Sequence, residues 1–384
     1  MQIQLNINLI LLGIAACNFL MAAVLVLLNN REKINLPVIL LTLLLLEMSY
    51  TTGDNILYVI GLNKLLFGLS ECVFVIIFLI APTLLLYIQS LTRPNFRLRG
   101  SHLLHFLPVF IYISVNWNTY LYDFPANWEA LRLHPLFKTH QFARSFAQVQ
   151  LLFYIVTCLW LIRKHNRVIE ELMSSVENKD LRWMRDIMVA TIILFLSWII
   201  TDYSPIPRVT YSFITLLLTY WAGYKVAKQK EVFTEFSPKV VLDTIENVNE
   251  TPQIRYKNSS LTDAVKNELM QKIESFMEKE KPYRNNELTL PMLAEQLGIS
   301  TNNLSQILNE GFGENFYKFI NRYRIEESQR LLLDPSFMHF NILGIAFEAG
   351  FNSKATFNKT FKEFVGISPS EFLKNYQNEE ILQK

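Results

Sequence analysis

Charge is what this sequence is short of. Only 18% of its 384 residues are Asp, Glu, Lys or Arg, against about a quarter in an ordinary soluble domain. Residues 5–28 hold none at all. Cysteine is scarce too: Cys17, Cys72 and Cys158 are odd in number and each lies in an apolar run. That excludes a disulfide framework and leaves no metal-ligand spacing, so the three read as buried spectator thiols. The chain also lacks H-E-x-x-H, G-x-S-x-G, a phosphate-binding glycine loop and the dinucleotide glycine set, so a non-enzyme without cofactor or metal is expected. The six histidines are dispersed, and His102 and His105 read as residues of a membrane edge. A small disulfide-stapled scaffold, a disordered tail protein and a uniformly basic nucleic-acid coat are likewise excluded.

What the chain has instead is apolar length. Hydrophobic residues make up 51% of it, and charge divides near residue 230, with a net of +7 before and −5 after. A bilayer core about 30 Å thick needs roughly 20 apolar residues of helix. Seven apolar runs are present, at residues 5–28, 36–60, 67–91, 102–117, 147–162, 187–200 and 209–226. The first is too long for a signal-peptide core and has no basic start. With the amino terminus outside, the cytoplasmic segments hold 14 Lys and Arg and the external loops five, the bias that cytoplasmic loops carry. The expectation is a seven-transmembrane-helix bundle over residues 1–228 of a cell (inner) membrane protein, with its carboxyl-terminal part in the cytoplasm.

Four acids fall inside these runs. Glu47 lies near the middle of the second, with Asp54 seven residues on along the same helical face. Glu71 lies in the outer part of the third, and Asp202 ends the sixth. Intramembrane acids are costly and usually face a polar interior. Two readings stay open: hydrogen bonds that hold the bundle, or a sensor site for a small molecule or a proton.

After Lys230 the chain turns polar, and residues 229–259 read as a linker. Ser260 and Asp263 have capping-box spacing, opening an amphipathic helix over 260–282. Its apolar face, Leu261, Val265, Leu269, Ile273 and Phe276, either packs on the following domain or forms a seam between two copies of the chain. From Tyr283 onward the helix signals repeat. Ala294 and Gly298 recur as Ala346 and Gly350, 52 residues later. Leu304 and Leu308 recur as Phe357 and Phe361, 53 residues later.

Each unit has the logic of a helix-turn-helix. A small residue sits where the helices cross (Ala294, Ala346), and a glycine supplies the turn (Gly298, Gly350). An apolar anchor then follows on the second helix (Leu304, Phe357). That helix presents its other face to a major groove. The first such face offers Thr301, Asn302, Asn303, Ser305, Gln306 and Asn309, types that pair with adenine or several base edges. The second offers Ser353, Lys354, Thr356, Asn358, Lys359 and Lys362, where the lysines suit phosphate or guanine.

The stretch 291–373 resembles the DNA-binding domain of the AraC/XylS family of bacterial transcription regulators. The resemblance is carried by Leu293-Ala294-Glu295-Gln296-Leu297-Gly298-Ile299-Ser300, then by Phe319-Ile320-Asn321-Arg322-Tyr323-Arg324-Ile325-Glu326-Glu327-Ser328. It continues in Ile345-Ala346-Phe347-Glu348-Ala349-Gly350-Phe351-Asn352-Ser353 and in Ser368-Pro369-Ser370-Glu371-Phe372. It implies two helix-turn-helix subdomains joined by a linker helix over 316–333, whose second helices enter successive major grooves of promoter DNA. RNA polymerase and a second copy of the chain are the protein partners to consider. Asn358 departs from the serine common in the family, and Thr360 from bulkier or basic types, which bears on base preference. The whole reads as all-α: a seven-span membrane region, a linker, an amphipathic helix, a double helix-turn-helix domain over 283–375 and a tail, 376–384. A smaller set of family-like proteins joins such a membrane region to this domain. The alternative is a membrane receptor or transporter whose helical tail docks a protein partner.

Overall fold

The computed structural model describes residues 2–31, 34–60, 67–93, 96–122, 135–176, 181–186 and 262–382, with scattered positions at 130–133 and 188–221. The chain divides into two compact units. One comprises Met1–Arg163 and Leu181–Pro238, the other Lys164–Asp180 and Lys239–Lys384.

Among the described residues the first unit is helical: α1 (Gln2–Asn29), α2 (Leu36–Ile60), α3 (Phe67–Thr92), α4 (Leu107–Tyr122) and most of α5 (Pro135–Leu172). Leu40 and Leu41 of α2 join Leu85, Leu86 and Ile88 of α3 and Ile155, Cys158 and Ile162 of α5 in one buried cluster. Phe74 and Phe78 of α3 meet Val109 and Tyr112 of α4 and Ala143 and Ala147 of α5 in a second. The outward faces are as apolar as the inward ones: Ile10 and Leu28 are each 59% exposed, Leu104 70% and Phe153 67%. So large an exposed apolar surface is foreign to a water-soluble monomer. Among the described residues four helical stretches are long and apolar enough to cross a membrane, Leu9–Asn29, Leu36–Asp54, Cys72–Thr92 and Lys138–Leu172.

The fourth apolar run is displaced from its expected position. Residues Gly100–Phe106 form a 3-10 turn instead. His102 Nδ1 accepts from the Arg99 amide at 2.9 Å, and His105 Nδ1 lies 2.7 Å from Tyr154 Oη. The helix therefore starts only at Leu107 and is 16 residues long. In contrast, α5 has 38 residues, about 57 Å at 1.5 Å per residue, far more than the fifth run. The sixth and seventh runs lie outside the described residues but for scattered positions. Only Cys158 is buried; Cys17 and Cys72 are exposed. An apolar run hides a thiol only where a neighbouring helix covers that side.

The second unit carries α6 (Asp263–Glu280), α7 (Leu290–Leu297), α8 (Thr301–Gln306), α9 (Phe316–Leu333), α10 (Ile342–Glu348), α11 (Lys354–Val365) and α12 (Pro369–Leu382). Short polar side chains set most of their starts by accepting an otherwise unpaired amide of the first turn. Thr262, Thr289, Ser300, Asn315, Asn341 and Ser353 do this for α6 to α11 in order. At α12, Ser368 and Glu371 exchange the two bonds of a capping box. Thr262, not Ser260, caps α6: its hydroxyl accepts from the Val265 amide. Ile273 and Met277 are the buried positions of α6, so its inward face centres one turn beyond the expected stripe. Lys266 pairs with Glu310, and Lys272 Nζ donates to the Leu297 carbonyl, so α6 packs on the first helix-turn-helix.

Candidate nucleic-acid interface

Both turns are built alike. The Ile299 amide donates to the Ala294 carbonyl and that of Gly298 to Glu295; the Phe351 amide donates to Ala346 and that of Gly350 to Phe347. These are Schellman closures, which need a left-handed residue at the glycine. Gly298 sits at φ 68° and Gly350 at φ 96°. From Gly298 the chain reaches its next cap, Ser300, in two residues; from Gly350 to Ser353 it takes three. The change in repeat offset therefore lies between glycine and cap, in the second turn. Ala294 and Ala346 are buried at the helix crossings, and Leu304 and Phe357 anchor the second helices at 0% exposure.

The two candidate reading helices differ in what they present. On α11, Lys354, Asn358, Lys359 and Lys362 are exposed. Thr356 and Ser353 are half-buried, joined by the capping bond and by a 3.0 Å hydroxyl contact. On α8, Asn302 is exposed, while Thr301 and Asn303 are half-buried. Ser305 and Gln306 are buried. The turn that follows and α6 account for this. After six residues α8 passes into a π-helical turn, Ile307–Gly311, and α6 lies against that turn. Met270 Sδ stands 2.7 Å from where a Cβ on Gly311 would be, and Glu310 accepts from both Lys266 and Gln306. Asn309 donates to Glu171 Oε2 at 3.2 Å and to the Ser305 carbonyl at 2.9 Å.

Three basic groups gather on one acid at the back of α9. Glu327, with its side chain 4% exposed, takes two bonds from Arg330 (2.9 and 3.0 Å), two from Lys281 (3.3 and 3.4 Å) and one from Arg284. The Arg330 bonds first, then those from Arg284 and the charge of Lys281, outweigh burial and hold its pKa down at about 2. A depressed carboxylate stabilises the fold above its unfolded pKa, near 4.3. That stability is lost as pH falls from there toward 2. Glu327→Gln is therefore expected to cost about 1–3 kcal/mol at pH 7 and to flatten the acid loss in that window. Hydrogen exchange of the α9 amides in the full chain, corrected for intrinsic rates between pH 6 and pH 3, reads both effects.

Arg324 is the least expected residue of the module. It is 1% exposed, and no salt bridge among the described residues includes it. Burial lowers its pKa below the ordinary guanidinium range. Its Nε donates to the Tyr283 carbonyl, Nη1 to the Ser174 carbonyl and Asn321 Oδ1, and Nη2 to Ser174 Oγ and the Asn285 carbonyl. Five bonds match the five N–H groups a guanidinium carries. An arginine inside a run of apolar helix positions was the available signal; nothing pointed to Ser174, 150 positions earlier.

Of the four intramembrane acids, Glu47 accepts from Thr83 Oγ1 at 3.0 Å, tying α2 to α3. Asp54 lies on α2 within the described residues and is half-buried. The Glu71 side chain and Asp202 lie outside what the structure describes.

Comparison with known proteins agrees with the repeat. A family of the description "Helix-turn-helix domain" matches residues 293–375. An uncharacterized HTH-type transcriptional regulator of Staphylococcus aureus (strain COL) is 36% identical over 86 residues, covering 22% of this chain and 11% of that protein. The Msm operon regulatory protein of Streptococcus mutans serotype c is 33% identical over 86 residues, covering 22% of this chain and 30% of that protein. The chain thus spans under a third of the length of these curated relatives. No solved structure matches.

Proposed function

We propose that this chain is a membrane-anchored, sequence-specific DNA-binding transcription regulator of the AraC type. The observation that carries the reading is the twice-built Schellman turn, each copy leading into a capped second helix, the later one with four exposed polar or basic side chains on α11. Promoter DNA is the ligand of the second unit, with RNA polymerase and a second copy of the chain as protein partners. The apolar surface of the first unit supports lipid as its surroundings. Seven spans, an external amino terminus and a cytoplasmic DNA-binding module complete the arrangement. The signal is a proton or a small molecule received among Glu47, Asp54, Glu71 and Asp202. The Glu47–Thr83 bond favours a structural role for Glu47 beside any sensing role.

Lysines on α11 neutralise phosphates in this reading, so Lys359→Ala and Lys362→Ala weaken binding on every sequence. Each lost contact makes the slope of log affinity against log salt shallower by about 0.9. Replacing Asn302 or Asn303 instead shifts base preference, by about 1–3 kcal/mol where a bidentate contact breaks. Salt titrations with genomic DNA fragments and the full chain in lipid nanodiscs distinguish the two behaviours. Unchanged binding and slope in the double lysine variant contradict the assignment of α11.

A further inference from the structure

The second unit is not made of the carboxyl-terminal part alone. Residues 164–180, which take in the last turns of α5 and the short segment after it, belong to it. Val168, Ile169 and Leu172 are fully buried, and Met173 and Val176 nearly so. Met173 pairs antiparallel with Thr289, the cap of α7. Next to that pair the Ser174 amide donates to the Leu288 carbonyl at 3.2 Å, and Ser174 Oγ donates to the same carbonyl at 2.7 Å. Ser174 also fills two of the five hydrogen-bonding positions of Arg324, through its carbonyl and its hydroxyl. Two further bonds run along the arm: Glu171 accepts from Asn309 and Ser175 from Asn352.

These contacts reach both helix-turn-helix units and the linker helix. Leu288 and Thr289 lead into the first helix-turn-helix, Arg324 lies on the linker helix α9, and Asn352 occupies the turn of the second. Asn309, a candidate reading residue, is held by a carboxylate that would also oppose a DNA phosphate brought to the same place. The spacing of two reading helices decides whether both reach their grooves, and the arm bonds to both helix-turn-helix units, at Asn309 and at Asn352.

We propose that residues 164–176 are a docked inhibitory arm, which engages Leu288–Thr289, Arg324, Asn309 and Asn352 and holds the module in a form that does not bind DNA. The inference rests on the DNA-binding reading above and adds its regulation. Release swaps the Ser174 acceptors of Arg324 for water, so two discrete states are available to the same guanidinium. Because the arm is continuous with α5, a signal that favours one arrangement of the apolar helices has a direct route to the module; a signal with equal affinity for both shifts nothing.

A reversible lock tests this. The Ser174-to-Leu288 amide bond beside the Met173–Thr289 pair marks that pair as the non-hydrogen-bonded kind, with Cα atoms about 4.5 Å apart, within disulfide reach. The full chain carrying Met173→Cys and Thr289→Cys is compared in nanodiscs before and after oxidation, with genomic DNA fragments as the probe. The parent chain, with Cys17, Cys72 and Cys158, serves as oxidant control. Oxidation is expected to form the cross-link and weaken binding at least tenfold, with recovery on reduction. Equal binding by both forms overturns inhibition while leaving the DNA-binding reading intact. Failure of the cross-link to form overturns the docked arm itself. A further full-chain variant, Val168→Asp with Leu172→Asp, places charge at two fully buried arm positions and is expected to bind at least as tightly as the parent. Absence of binding in this variant, in the reduced variant and in the parent overturns the DNA-binding reading, and the inhibitory role with it.

Discussion

Gly350→Ala is expected to destabilise the second helix-turn-helix by about 2–5 kcal/mol, and Gly298→Ala its counterpart by only about 1–2 kcal/mol. Both glycines lie at positive φ, where an L-residue pays about 1–2 kcal/mol for its Cβ. The two positions differ in what that Cβ would meet. At Gly298 nothing lies within 4 Å. At Gly350 the new carbon would strike the Tyr283 carbonyl and stand 2.8 Å from Arg284 Cα and 2.9 Å from the Arg284 carbonyl. Backbone cannot rotate aside as a side chain can, so overpacking of about 1–3 kcal/mol adds to the strain. The same displacement pushes on Arg284, whose guanidinium holds Glu327. Pulse proteolysis of the full chain in urea, following cleavage within residues 283–375, should give midpoints in the order parent, Gly298→Ala, Gly350→Ala. Equal shifts for the two variants would show that the second turn does not rest on Pro282–Arg284.

Phe357→Ala should cost about 3–5 kcal/mol. The ring is completely buried and lies edge-on to Phe351 at 5.2 Å and to Phe361 at 5.5 Å, and Phe361 meets Phe372 in turn. Removing it opens a cavity in the cluster that joins α9, α10 and α11, formed with Ile325, Leu331, Ile345 and Ala346. Because α11 then loses its anchor, DNA binding should fall together with stability. Circular dichroism alone would miss this beside the helical first unit. Protection of the α11 amides against exchange, set beside DNA affinity, measures both. A variant that binds normally with unprotected α11 would exclude that helix from the interface.

Much of the second unit was legible because its signals are local. Helix α9 occupies residues 316–333, the interval that the family resemblance implied for the linker helix, and Asn315 caps its start. The turn glycines and their alanines are four apart, within about one helical turn of each other, and their chemistry does not depend on distant parts of the chain. What was not legible depends on packing between segments far apart in sequence. Ser305 and Gln306 look like outward polar residues by composition, yet the π turn and α6 cover them. The start of α6 moves from Ser260 to Thr262 because both side chains suit a cap, and only geometry decides which hydroxyl reaches an amide. The length of α5 is hidden because its last turns mix charge with apolar residues: Val168, Ile169 and Leu172 are buried against a module that begins far along the chain. In the first unit, hydropathy marks apolar helices but does not say which face is covered, so it misplaced the exposed Cys17 and Cys72.

The central claim is that a DNA-binding module hangs from a membrane on its cytoplasmic side. Sealed vesicles of both orientations, prepared from cells making the full chain, test it in one measurement of genomic DNA fragments retained. Inside-out vesicles should retain DNA, with a salt dependence that becomes shallower when Lys359 and Lys362 are replaced, and right-side-out vesicles should retain it only after permeabilisation. Retention by intact right-side-out vesicles, or by neither preparation once permeabilised even when the buried arm residues Val168 and Leu172 are replaced by Asp, would contradict the account.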